Sequence, residues 1–232
     1  MKKVVTTMLL VVVMATSITA AAAGDEVNYY VDIPRLVPGE VTDFVDMQGH
    51  WAEAEAKSAA EKGIMIGVGE GRFNPNAPVT VGQVMTVYVR MSKFSEDKIL
   101  ANDAMQFADA KGYLLPPVAI FSKLDPSYKG YKENGEWVYG VNRPATRLFV
   151  AQVLGAGASL HFNDREFEVP FFDTARLPYS DQQRIAYLKE VGVIAGFPDG
   201  SFAPDSIVTR AQFAALCNRF YEKGLADYYL LA

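Results

Sequence analysis

A single cysteine, Cys217, stands in a chain of 232 residues, so no disulfide can form within it. Stability has to come from packing, and Cys217 itself, on the apolar face of the last expected helix, reads as a small buried hydrophobe. Histidine is nearly as scarce, with only His50 and His161. A multi-histidine metal centre or a histidine relay is therefore thinly supplied. Nucleophile elbows, phosphate loops and HExxH runs are all missing, so no metal, cofactor or catalytic residue is expected. Long basic runs are also missing and the formal charge is −5, which argues against nucleic acid as a partner. Asp164, Glu166 and Glu168 cluster, but they alternate with Asn163, Arg165 and Phe167. That pattern reads as a solvated connector rather than a pair of catalytic carboxyls facing across a cleft.

Long apolar runs are absent beyond the N-terminus. Residues 1–23 carry Lys2 and Lys3, then a short apolar core from Met8 to Met14, then four alanines from Ala20 to Ala23. This is the pattern of a signal peptide cut near Ala22 or Ala23. A retained anchor is the alternative, disfavoured because the apolar core is shorter than the roughly 18–20 residues that span a bilayer. Residues 24–43 form a polar lead-in, in which Asn28, Tyr29, Tyr30 and Val31 suit a short strand and Pro34 and Pro38 stop anything longer.

What the chain does have is repetition. In residues 44–92, Ala52 to Lys62 favours helix and Gly63 sits where a helix-ending glycine belongs. Gly67 and Gly71 suit a tight loop, Phe73 and Pro75 follow, and Thr80 with Gln83 forms a capping box. Val84, Val87, Tyr88 and Met91 then mark one helical face. Residues 171–222 repeat the scheme with Gly192, Gly196, Gly200, Phe202, Pro204, Thr209 and Gln212, and the face Phe213, Leu216, Cys217 and Phe220. Gly63 to Thr80 and Gly192 to Thr209 both span 17 residues, and Phe171-Phe172-Asp173 answers Phe44-Val45-Asp46. Ser180 and Gln183 suggest a capping box on the first helix of this copy. Residues 223–232 are a short tail.

A middle copy is expected in residues 97–158. Lys98 to Lys111 reads as its first helix, ended by Gly112. Thr146 lies 34 residues after Gly112, which implies an insert of 17 residues. Within the insert, Asn134-Gly135 between aromatic arms signals a β-hairpin. Tyr139 takes the place of Phe73 and Phe202, and Val150, Val153 and Leu154 continue the helical face. Gly157 at the fourth face position suggests a looser helix end.

These motifs, namely F-x-D, a helix, a glycine loop with G-x-F-x-P, and Thr209-Arg210-Ala211-Gln212, resemble the S-layer homology family. His50-Trp51 resembles the family's start of the first helix. The resemblance covers residues 44–222 and is sharpest in the first and last copies. It implies a mainly α fold: three helix-loop-helix repeats in a pseudo-threefold arrangement around a central three-helix bundle, here with a small β-hairpin insert in the second. It also implies a secreted protein of the bacterial cell wall or cell surface. The implied partner is cell-wall polysaccharide or a peptidoglycan-linked polymer, with pyruvylated secondary polymer as the family's usual ligand. Because the repeats nearly fill the expected mature chain, a structural role in S-layer or envelope assembly, with a protein partner, stays open.

Read from the residues, Thr209 caps a helix and places Arg210 at its first position, exposed, with first-turn N–H groups pointing outward. A guanidinium beside such a terminus suits a carboxylate or a phosphate. The candidate ligand contacts are Arg210, Arg147, Thr209, Thr146, Gln212, Asp199, Gly200 and Trp51. Several carry a structural reading as well. Thr209 is a cap first, Phe73, Phe202 and Tyr139 are plugs between helices, and Trp51 is expected to be buried beside its helix pair rather than against a sugar. The first copy has Val81 in place of the arginine, so at most two working grooves are expected.

Overall fold

The computed structural model describes residues 18–23, 26–32, 34–92, 98–102, 104–124, 130–158 and 165–226. Most of the expected export signal, part of the 161–169 connector and most of the C-terminal tail lie outside these residues. Six helices carry the core: α1 (Glu53–Glu61), α2 (Val81–Met91), α3 (Leu115–Leu124), α4 (Arg147–Ala158), α5 (Tyr179–Glu190) and α6 (Arg210–Glu222). The fold is mainly α. None of these helices is long and apolar enough to cross a membrane.

Several helix termini have local causes. Gly63 and Gly192 adopt φ of 73° and 77° just past α1 and α5, where a residue with a Cβ would be strained. Thr80 and Thr209 close capping boxes with Gln83 and Gln212. The Thr146 hydroxyl accepts the Phe149 N–H at 3.1 Å and does the same for α4.

One helix pair joins the two ends of the chain, and two join consecutive helices. α1 packs on α6, α3 on α2 and α5 on α4. Ala56, Ala59 and Ala60 are fully buried on α1 and let α6 approach closely. Along that contact Asn218 donates to the Glu55 carbonyl and carboxylate, and Lys62 pairs with Glu222 at 2.7 Å. Phe73, Phe202 and Tyr139 are plugs as expected, 0%, 1% and 7% exposed. Cys217 is fully buried, and desolvation pushes its thiol pKa well up.

At the centre three loops are joined backbone to backbone. Val79 N–H donates to Val208 O, Val208 N–H to Ala145 O, and Ala145 N–H to Val79 O, at 2.8–3.0 Å, closing a ring. All three residues are fully buried, where an unpaired amide would be costly.

A small antiparallel sheet runs β1 (Ile18–Ala23), β2 (Glu26–Asp32), β3 (Lys98–Leu100), with Tyr30 opposite Leu100. β1 falls inside the stretch expected to be the export signal. β2 contains the strand expected at residues 28–31. The lead-in docks on the end of α1 through a Gly39 N–H to Ala60 O bond.

Several expectations change. Residues 98–111 are not a helix. They hold β3 and turns, and the helix follows Gly112 instead, as α3. Pro116 and Pro117 fit its first turn, where no intrahelical N–H bond is lost. The hairpin is where Asn134-Gly135 signalled it, β4 (Tyr131–Glu133) against β5 (Glu136–Val138), with φ of 51° and 87° at the turn. Ser180 does not cap α5. It lies inside the helix, and Gln183 instead clasps the Phe167 N–H and carbonyl at 2.7 and 3.0 Å. Gly157 does not shorten α4, which runs to Ala158. Gly155 in that helix is a point of close approach, since a Cβ there would lie 2.8 Å from Arg184 Cβ. Trp51 is 65% exposed and Arg210 only 7%, the reverse of what was expected of each.

Candidate functional site

Three aspartates shape the loops that surround the site. Asp46 accepts the N–H groups of Phe73 and Asn74 at 2.8 and 2.7 Å. Asp173 accepts those of Phe202 and Ala203 at 2.9 and 2.8 Å. Asp109 takes three, from Tyr139, Gly140 and Val141, at 2.7, 2.7 and 2.9 Å. The sequence separations to the first donor are 27, 29 and 30 residues. Phe107-Ala108-Asp109 is thus the middle counterpart of the other F-x-D motifs. Counted from the aspartate, the hairpin stands in place of a glycine loop and adds little length.

Burial alone would raise the Asp46 pKa, but the Phe73 and Asn74 N–H bonds, helped by Arg72, outweigh it and hold it below the usual range. A carboxyl whose folded pKa is depressed contributes stability above its unfolded pKa, roughly 3.9 for aspartate, and loses it as pH falls through the folded value. Asp46→Asn is therefore expected to flatten the acid limb of stability against pH below about 4, read by urea titration. An unchanged acid limb would show that the clasp contributes nothing.

The expected anion corner is occupied by protein. In α6 the Arg210 and Ala211 N–H groups donate to Ala77 O and Pro75 O, and Gln212 N–H goes to the Thr209 hydroxyl. The Arg210 guanidinium donates from Nε to Phe73 O at 2.8 Å and from Nη2 to Ile66 O at 2.9 Å, 4.8 Å from the Phe73 ring centroid. Burial lowers its pKa, and Asp46 nearby opposes that.

α4 does the same to the last segment. Arg147 and Leu148 N–H groups bond Ser206 O and Pro204 O. Arg147 Nε reaches Phe202 O at 2.7 Å and Nη2 reaches Ala195 O at 3.1 Å, over Phe202 and Phe197. At the start of α2 the backbone pattern recurs, Val81 to Arg143 O and Gly82 to Val141 O, but position 81 carries no guanidinium. The first N–H groups of α2, α4 and α6 point at neighbouring loops because these three helix starts are wedged against them, not against solvent.

The eight expected contacts thus separate. Thr209, Arg210 and Gln212 lie where the last segment meets the first. Arg147 reaches toward the loop of Asp199 and Gly200, where Asp199 accepts Ser201 N–H and hydroxyl at 2.9 and 2.7 Å. Trp51 stands apart beside His50. Thr146 lines the larger cleft.

That cleft, about 670 Å³, lies between the start of α2, the foot of the hairpin, α4 and α5. Val81, Phe121, Leu148 and Val153 give it an apolar floor, with Arg143 and Arg184 on its walls beside Thr146 and Gln152. Arg184 is aimed by Asp181, whose carboxylate takes Arg184 Nη1 at 3.1 Å and Gln152 Nε2 at 2.9 Å. The Arg143 guanidinium lies 5.6 Å from the Tyr131 ring centroid on the hairpin. Two guanidiniums over an apolar floor suit a ligand with an acidic group and a carbon ring. Neither arginine belongs to a motif, and only the packing of α5 on α4 brings them together.

The sequence model for the S-layer homology domain matches residues 43–84 and 178–214. The chain is 24% identical over 175 residues to an uncharacterized cell wall amidase of Bacillus anthracis, across 74% of this chain and 29% of that protein. It is 24% identical over 167 residues to cell surface glycoprotein 1 of Acetivibrio thermocellus, across 68% of this chain and 7% of that protein. A cellulosome-anchoring protein of the same organism is 46% identical over 39 residues, 17% of this chain and 9% of that protein. The matches thus span less than a third of the length of these relatives.

Proposed function

We propose, from the premise that this chain belongs to the S-layer homology family, that it is an exported cell-envelope anchoring module holding an acidic cell-wall polysaccharide non-covalently. Pyruvylated secondary polymer fits best, because each pyruvate ketal offers a carboxylate beside a sugar ring. The observation that carries this is the convergence of Arg143 and Arg184 on one cleft with the Thr146 hydroxyl and an apolar floor. Arg147, Arg210, Thr209 and Gln212 act in this reading by fixing the starts of α4 and α6 against neighbouring loops, and Asp199 and Gly200 belong to the loop that Arg147 reaches. The same reading includes three repeats in a pseudo-threefold arrangement, supported by the ring of bonds among Val79, Ala145 and Val208. Among the relatives, the names cell wall amidase, cell surface glycoprotein and cellulosome-anchoring protein fit an envelope location. The role is binding, with no chemical step, and turnover of cell-wall glycan by the pure protein would refute that part.

The test is co-sedimentation with purified cell walls before and after polymer extraction. Arg143→Gln with Arg184→Gln is expected to weaken binding by at least about tenfold, since charged hydrogen bonds are worth about 1.5–3 kcal/mol each. Glutamine keeps a donor toward Asp181. Undiminished binding by the folded double variant would remove the site. Phe172 and Tyr179, 72% and 58% exposed, favour a second reading in which a protein partner docks on the last segment. Sedimentation that survives polymer extraction and is lost in Phe172→Ser would select it.

A further inference from the structure

A second cleft, about 620 Å³, lies at the start of α1 and shares no lining residue with the arginine cleft. We infer that it is a binding site for a neutral pyranose oligosaccharide, with Trp51 as its stacking face. This goes beyond the acidic-polymer reading and does not require it.

Trp51 exposes 65% of its surface, leaving unused the stabilisation that burying so large an apolar group supplies. The ring is nonetheless held in place. His50 Nδ1 accepts the Ala52 N–H at 3.1 Å, which orients the imidazole. Its ring lies 5.6 Å from the indole, tilted by 36°. Glu53 accepts the Gly49 N–H at 2.8 Å and locks the preceding turn. Little ordering cost is left for a ligand to meet.

The charges select the ligand class. Asp43 and Lys57 neutralise each other at 2.7 Å, and the Glu53 carboxylate also lines the cleft. An acidic sugar would meet the Glu53 carboxylate here, whereas the other cleft presents two guanidiniums. A neutral pyranose sets its C–H face on the electron-rich ring and its hydroxyls toward Gln48, His50 and Glu53. The volume lies within the usual range for small-ligand clefts. One chain could then grip an envelope glycan at two places, which multiplies avidity without new contacts.

The chain has two tryptophans, so Trp137→Phe leaves Trp51 as the sole indole. Titrating that protein with tetra-N-acetylchitotetraose is expected to give a saturable blue shift in emission. By calorimetry, Trp51→Ala should bind the sugar at least tenfold more weakly and Trp51→Phe should retain part of the affinity. Arg143→Gln with Arg184→Gln should bind it as the parent does. An absence of saturation by about 10 mM, far above the affinity of any useful site, would overturn the inference. So would retention of binding in Trp51→Ala, or its loss in the arginine variant. The probe carries no carboxylate, so failure of the wall assay leaves this titration standing, and the reverse.

Discussion

Arg210→Ala is expected to lower the stability of the folded chain by about 3 kcal/mol, a drop of about 6–12 °C in Tm for a protein of this size. The guanidinium donates to two backbone carbonyls, Phe73 O and Ile66 O, and lies over the fully buried Phe73 ring. Removing it leaves both acceptors without their donor and opens a void beside the ring. Arg210→Lys should recover little, because an ammonium cannot bridge the two carbonyls and cover the ring at once. Arg147→Ala should cost somewhat less, as its guanidinium is more exposed. The two losses should be nearly additive, since the partners of Arg147, Phe202 and Ala195, are distinct. Differential scanning calorimetry checks this. If Arg210 were chiefly a ligand contact, Tm would stay unchanged while wall binding fell.

Asp109→Ala is expected to be of similar severity, about 3 kcal/mol, from three amides deprived of one acceptor. The figure sits below three full penalties because Asp109 is only half-buried and water can reach part of the gap. Hydrogen exchange at Tyr139, Gly140 and Val141 should accelerate first. The edge-on packing of Phe107 and Tyr139, ring centroids 5.1 Å apart, should loosen with it. Asp109→Asn should fall between, keeping one acceptor oxygen but turning an NH2 toward donors. This substitution also discriminates between two placements of the middle segment. Were residues 98–111 a helix, Asp109 would be a replaceable surface residue, and alanine there would be neutral.

The middle segment shows what a linear reading can miss. Phe107-Ala108-Asp109 carries the same F-x-D signal as the flanking segments, yet the helix-forming residues before Gly112 outweighed it. Helix propensity is a weak local preference, and three N–H hydrogen bonds from a distant loop to Asp109 override it. Trp51 and Arg210 were misplaced for a related reason. Trp51 is large and apolar, Arg210 is charged, and composition alone sends the first inward and the second outward. Arg210 is inside because two carbonyls and an aromatic face of another segment meet its needs. Trp51 is outside on a turn held by the Gly49 N–H to Glu53 and Ala52 N–H to His50 bonds, with its indole beside the His50 ring.

Residue order alone determined whatever depends on neighbours a few positions apart. That covers the capping boxes at Thr80 and Thr209, the glycine stops at Gly63 and Gly192, the hairpin at Asn134-Gly135 and the family of the two flanking segments. Only the tertiary structure decided which segments meet. The starts of α2, α4 and α6 are wedged against loops far along the chain, so the N–H groups that a lone helix would offer an anion are already bonded to carbonyls. Arg143 and Arg184 converge because α5 settles against Gly155 of α4, and no spacing in the sequence encodes that contact.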